Sequence, residues 1–163
     1  MIILVIYSSK TGNTKKLAEY VLEGIKKAKG VEVLLKSASK VTKSDFLKAD
    51  GIIAGSPVYF GTMSAELKDM FDRFVGLRKK MENKVGAAFA TSGDETGGKE
   101  TTLLSILQAM LIYGMIIVGD PLDASGHYGV ACVGAPDIET IHNAQKLGKR
   151  VAQLVVHLRS NTF

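Results

Sequence analysis

Hydrophobic and polar positions along this chain switch repeatedly between two regimes. Residues 2–7 form an unbroken aliphatic run, the pattern of a strand buried on both faces. Leu17, Ala18, Val21, Leu22 and Ile25 then recur at helical spacing, and Gly30 ends that helix. "VEVLLK" (31–36) reads as a second strand, "SDFLKAD" (44–50) as a short helix and "GIIAGS" (51–56) as a third strand. From Ser64 the apolar positions Leu67, Met70, Phe71, Phe74 and Val75 return to helical period. "KVGAAFATS" (84–92) is a fourth strand, residues 99–113 a helix, and "MIIVG" (115–119) a fifth strand. A Gly-rich stretch leads to a last helix over 137–158, with Ile138, Ile141, Ala144, Val151, Leu154, Val155 and Leu158 facing inward.

Five β-α units with short connections predict an α/β chain, a parallel sheet with helices on both faces. Ligands of such sheets sit beyond the carboxyl ends of the strands, where the strand order reverses. The loops after strands one, three and four are therefore the places to look for chemistry.

The first of these loops is "SSKTGNT" (8–14). A helix N-terminus presents unpaired N–H groups and a partial positive charge, which together receive an anion. Ser9, Thr11 and Thr14 add hydroxyls, Asn13 adds an amide, and Gly12 permits a close turn. One helix cap would account for one of these residues, not five. The spacing matches neither a Walker P-loop nor a GxGxxG fingerprint. Neutral donors of this kind suit a monoester phosphate. A signalling receiver domain shares the predicted topology, but it needs acidic residues where Ser8 and Ser9 stand.

The loop after strand three, "GSPVYFGTMS" (55–64), carries adjacent aromatics, Tyr59 and Phe60, between Pro57 and Gly61. Phe60 taken alone could close the core from outside; the pair, at the ligand edge, suits a flat ring. The loop after strand four, "TSGDETGG" (91–98), has three glycines and many donors, suiting either plain flexibility or a backbone cradle for a ring's polar edge.

Composition narrows the classes further. A chain of 163 residues with 46% hydrophobic residues can bury the core of one domain, spanning 1–163. Cys132 is the single cysteine, so no internal disulfide can form; in the apolar run "GVACVG" it reads as a buried, inert thiol. "MIILVIY" has no basic region before it and no small-residue site after it, and "LLSILQAMLIYGMIIVG" is interrupted by Ser105, Gln108 and Gly114. Neither a signal peptide nor a membrane span is expected, and the location implied is cytoplasmic. The net charge is +5, from 21 Lys and Arg against 16 Asp and Glu. That balance serves solubility or draws in an anionic partner; no motif accompanies it that would point to nucleic acid. No cluster of His, Cys and carboxylates suggests a metal. His142 and His157 read as surface residues, and His127 lies in the loop after strand five.

"SSKTGNT", "GSPVYFG" and "TSGDETGGKETT", in this order and spacing, resemble the flavodoxin superfamily, which binds FMN. Within it, "ADGIIAGSPVYFGTMSAELKDMFDR", "SGDETGGKETTLLSILQAMLIYGMIIVG" and "HYGVACVGAP" look most like the FMN-dependent NAD(P)H:quinone oxidoreductases named after a tryptophan-repressor-binding protein.

The resemblance implies a three-layer sandwich around a five-stranded parallel sheet of order 2-1-3-4-5. It implies that Ser9, Lys10, Thr11, Gly12, Asn13 and Thr14 hold the FMN phosphate. Pro57, Val58, Tyr59, Phe60 and Gly61 would border the isoalloxazine ring, and Ser92, Gly93, Asp94, Glu95, Thr96 and Gly97 its pyrimidine side. Tyr113 stands where that branch has a histidine near the flavin, and reads either as a residue beside the flavin or as a core tyrosine. The branch's insertion before helix two is replaced here by "SASKVTK" (37–43). Relatives of this kind take electrons from NAD(P)H and pass them to a quinone at the flavin, without a catalytic side chain, and can form homo-oligomers. Two other readings stay open: a one-electron carrier between protein partners, and a flavin-free interaction module.

Overall fold

A computed structural model describes residues 1–160 of the chain. The element order is β1 (Ile2–Tyr7), α1 (Asn13–Lys26), β2 (Glu32–Ser37), α2 (Lys43–Lys48), β3 (Gly51–Pro57), α3 (Ala65–Arg73), β4 (Val85–Ser92), α4 (Lys99–Ile112), β5 (Ile116–Ile117), β6 (Val130–Val133) and α5 (Ile138–Ser160). Short 3-10 turns cover Ala38–Lys40 and Val75–Lys80.

All strand pairs are parallel, in the order β2-β1-β3-β4-β5, with β6 also paired to β4. β3 and β4 are buried nearly throughout, because helices cover both faces of the sheet. α1 and α5 pack on one face over Ile3, Val5, Ile53 and Phe89. α2, α3 and α4 pack on the other over Leu4, Ile6, Ile52 and Ala88. α1 and α5 touch backbone to backbone: a Cβ at Gly24 would stand 2.1 Å from the Gln145 carbonyl oxygen, and one at Gly148 as close to that of Val21.

Three expectations are corrected. The fifth strand does not run over 115–119. β5 pairs only with Val85 and Gly86, and β6 takes the upper part of the same position, beside Phe89–Ser92. The chain leaves the sheet at Gly119 because polar groups fix an excursion there. Arg150 of α5 donates to the carbonyls of Gly119 and Asp120, and the Asp120 carboxylate accepts from Gly129 N at 2.8 Å. The helix that begins at Ser64 does not run on through Val75. α3 ends at Arg73, and the tighter turn that follows carries Val75 out to 63% exposure while Phe74 stays buried. Ile138, the first residue of α5, is 76% exposed rather than inward.

Candidate functional site

The site is built where β1 and β3 end side by side, the point at which the strand order reverses. Ser8 continues β1 by donating its N–H to the Gly55 carbonyl at 3.0 Å, and its hydroxyl donates to Glu66 of α3 at 2.7 Å. Gly12 then caps α1 in the left-handed region, φ 97, with no side-chain cap. A Cβ there would meet nothing within 4 Å, so the glycine answers to backbone conformation and not to space. The N–H groups of Gly12 and Lys15 converge on one oxygen, Ser9 Oγ, at 3.1 and 3.4 Å. The loop thus forms a small ring of inward-pointing donors of the kind that receives an anionic oxygen. Thr11 and Lys10 are exposed at its rim and Asn13 is half-buried. Thr14 is turned the other way. It is buried, and its hydroxyl meets that of Thr91 at 2.7 Å.

The second loop is a two-residue hairpin. Tyr59 and Thr62 exchange both backbone hydrogen bonds at 3.1 Å, and Phe60 and Gly61 form the turn with φ 51 and 74. Two positive φ values mark the turn type in which Asn-Gly is the usual pair. A phenylalanine held there costs about 1–3 kcal/mol in backbone strain. Its side chain gains nothing from the core in return, being fully exposed at the tip, with Tyr59 part-exposed below it. Phe60 therefore does not close the core from outside. Lys10 reaches over from the first loop, its ammonium 5.3 Å from the Tyr59 ring centre. Pro57 and Val58 form the stem, and Val58 N–H donates to the Thr91 carbonyl at 2.8 Å.

The third loop folds on Ser92, whose hydroxyl accepts from Asp94 N–H at 3.2 Å and donates to the Asp94 carbonyl at 2.8 Å. Gly93, Asp94, Glu95 and Thr96 are exposed. Glu95 is drawn toward Lys99 by an ion pair of 2.7 Å. Gly97 has no room for a side chain: a Cβ would lie 2.3 Å from Ser92 Oγ, whereas one at Gly93 would meet nothing. Gly98, φ 101, starts α4 and presses against the hairpin; a Cβ on it would stand 2.9 Å from Gly61 Cα.

The structure therefore gathers all three loops on one edge and ties them pairwise. Tyr113 is the exception and is corrected here. It lies in the core, 5% exposed, ringed by Phe46 and Phe71, with its hydroxyl donating to the Phe71 carbonyl at 2.6 Å. Burial, with the charge of Asp72, pushes its phenol up to about 12. α4 runs back across the sheet for 14 residues, so its C-terminal end is ~21 Å from the edge where the helix began. Thr91 and Glu66 are the polar residues that the sequence did not single out. Thr91 had one signal, its place as the last residue but one of β4.

A cleft of about 460 Å³ lies beside the three loops, between the starts of α4 and α5. It includes Glu95 and Lys99 but no residue of the first or second loop, so it flanks the loop cluster and does not coincide with it. His127 and Tyr128 line it. Cys132 lines its floor, and burial together with Asp137 pushes the thiol up to about 11, which keeps it protonated and inert. Among the described residues no group of His, Cys and carboxylates could hold a metal ion, and no helix is long and apolar enough to cross a membrane.

A family model described as NADPH-dependent FMN reductase matches residues 36–128. A flavodoxin of Aquifex aeolicus is 40% identical over 160 residues, covering 94% of this chain and 86% of its own. The chain belongs to the flavodoxin-like superfamily. An NAD(P)H dehydrogenase (quinone) of Archaeoglobus fulgidus is 36% identical, covering 96% of this chain and 98% of its own, in line with the likeness to the quinone-oxidoreductase branch. A WrbA-like flavodoxin from Agrobacterium tumefaciens superimposes with a TM-score of 0.83 at 23% identity, covering 96% of this chain and 98% of its own. Flavodoxin is the type case of the strand order found here, with FMN at the β1/β3 switch point. The donor ring around Ser9 and the aromatic hairpin beside it fit that cofactor's phosphate and flat ring.

Proposed function

We propose that the three loops hold FMN and that the loaded protein is a two-electron NAD(P)H-dependent quinone reductase. The observation that carries this reading is the third loop. Its exposed part, Gly93 to Thr96, offers no aromatic side chain, and Gly97 and Gly98 are packed against Ser92 and Gly61. An isoalloxazine bordered by Tyr59 and Phe60 on one side then keeps a face uncovered, wide enough for a stacked nicotinamide or quinone. The near full-length likeness to the Archaeoglobus quinone dehydrogenase supports the same reading.

FMN, when bound, supplies the hydride and electron chemistry. The protein binds and orients. Ser9, Thr11, Gly12, Asn13 and the amides at the start of α1 would hold the phosphate, with Lys10 and Thr14 completing the loop around them. Thr14 acts through Thr91, by fixing the first turn of the helix. Pro57, Val58, Tyr59, Phe60 and Gly61 would border the ring, and the backbone of Ser92 to Gly97 would meet its polar edge. Lys10, poised over Tyr59, sets a positive charge between phosphate loop and ring loop. The overall charge of +5 favours the approach of anionic nicotinamide and flavin nucleotides.

The Aquifex relative, a flavodoxin, favours a second reading as a one-electron carrier. Steady-state turnover separates the two. The FMN-loaded protein should reduce a simple quinone with NADH or NADPH. No turnover with either donor on any simple quinone would favour the carrier, and a protein that takes up no FMN would leave only an interaction module.

A further inference from the structure

The cleft between the starts of α4 and α5 carries a charge pattern opposite to that of the chain. Glu95, Glu100, Asp137 and Glu139 line it, and the one Lys or Arg among its described lining residues is Lys99, which Glu95 already holds at 2.7 Å. Across the chain Lys and Arg outnumber Asp and Glu by 21 to 16, so this local acidity does not follow from composition. Asp137 is kept ionised, below the usual carboxylate range, by the hydroxyl and N–H of Thr140. The wall made by the excursion after β5 is preset: Asp120 accepts from Gly129 N–H at 2.8 Å, and Asn143 of α5 donates to the Ser125 hydroxyl at 2.7 Å. That wall presents Tyr128, 47% exposed, with the His127 ring edge-on beside it. The cleft also reaches the first turn of α4, next to the third loop. Gly98 starts that helix with no side-chain cap, so its first N–H groups are left for an anion, with the Lys99 ammonium on the same turn.

We propose that this cleft takes the adenosine diphosphate half of the nicotinamide nucleotide, and that its carboxylates make NADH, not NADPH, the electron donor. The proposal rests on the reading of the protein as a nicotinamide-dependent reductase. Tyr128 offers an aromatic face on which adenine stacks. The uncapped turn of α4 and Lys99 receive the diphosphate, and from there the nicotinamide end is directed along the third loop toward the flavin. Carboxylates accept hydrogen bonds from the ribose hydroxyls, as in other dinucleotide sites, whereas a 2′-phosphate calls for an added cation. Lys99 is taken up by Glu95 and the diphosphate, so a 2′-phosphate would meet carboxylates with no free cation among the described lining residues. Like charges set against each other in this way are a strong means of rejecting a ligand. The overall charge of +5 draws in both nucleotides, and the cleft discriminates between them.

Isothermal titration of the FMN-loaded protein with ADP-ribose, which has no nicotinamide and cannot react, tests the cleft apart from turnover. ADP-ribose should bind about tenfold or more tighter than its 2′-phosphate. Tyr128→Ala should weaken ADP-ribose by about fivefold or more, with FMN content unchanged. Glu100→Arg and Glu139→Arg, both at exposed positions, should each narrow the gap between the two nucleotides and lower KM for NADPH relative to NADH. Equal binding of the two nucleotides, or binding of neither, would overturn the proposal, as would a Tyr128→Ala protein that binds ADP-ribose like the native chain. A flavin reduced by NADH and NADPH alike would overturn it while leaving the reductase reading in place. Tight ADP-ribose binding beside a flavin that neither nicotinamide reduces would instead overturn the reductase reading, and the donor assignment with it.

Discussion

The hydroxyls of Thr14 and Thr91 meet at 2.7 Å inside the protein, joining the first turn of α1 to the end of β4. Both residues are shielded from water, at 2% and 6% exposure. Removing one hydroxyl strands the other, which costs about 1–3 kcal/mol; removing both leaves no orphan. Thr14→Val and Thr91→Val should therefore each lower stability in urea titration, and the double variant should lose less than their sum. Strict additivity would mean that the contact carries no energy.

Thr11, exposed, and Asn13, half-buried, are residues of the first loop proposed to hold the phosphate with their side chains. Hydrogen bonds to a charged group contribute roughly 1.5–3 kcal/mol each. Thr11→Val should thus weaken FMN by about tenfold or more, and Asn13→Ala similarly, with little change in melting temperature. Riboflavin, lacking the phosphate, should lose far less. Equal losses for the two ligands, measured by fluorescence titration, would sink the assignment of this loop to the phosphate.

Phe60 should trade stability for function. Asn is at ease at positive φ in a two-residue hairpin turn, and Phe is not. Phe60→Asn should raise stability by about 1 kcal/mol. It should also lower quinone turnover, because an aromatic bordering the ring is lost. A variant that is stabilised and fully active would show that Phe60 does not face the ring.

Acid should weaken the fold through Asp45. Burial pushes its carboxyl up, but hydrogen bonds from Lys36 and from the Thr42 hydroxyl and N–H outweigh this and bring it down to about 2. The unfolded chain has the ordinary value of 3.8. The folded state prefers the carboxylate, so its stabilising effect is complete above 3.8 and drains away as pH falls through about 2. Melting temperature should drop over that window, and Asp45→Asn should flatten the drop while lowering stability at neutral pH.

Much of this was legible in the sequence because buried strands and their polar tips contrast sharply. The aliphatic run at 2–7 ending in Ser8 and Ser9 announces a strand and its ligand edge together, and all three loops lie on that edge. What escaped depends on contacts distant in sequence. Nothing local shows that Arg150 would hold the chain away from the sheet at Gly119 and leave the fifth position to two short segments. Tyr113 has an ambiguous neighbourhood in sequence; only the path of α4 shows that it ends at the far side of the molecule, bonded to Phe71. Gly97 and Gly93 look alike as letters, yet only Gly93 could accept a side chain, because Ser92 Oγ occupies the space beside Gly97.

The uncovered ring face is the heart of the functional account, and an anaerobic titration of the FMN-loaded protein with NADH and NADPH tests it most directly. The account predicts that one of the two nicotinamides bleaches the flavin completely at one equivalent, with no one-electron-reduced form building up on the way. A flavin that neither nicotinamide reduces, while dithionite drives it through an abundant one-electron-reduced form, would contradict the account.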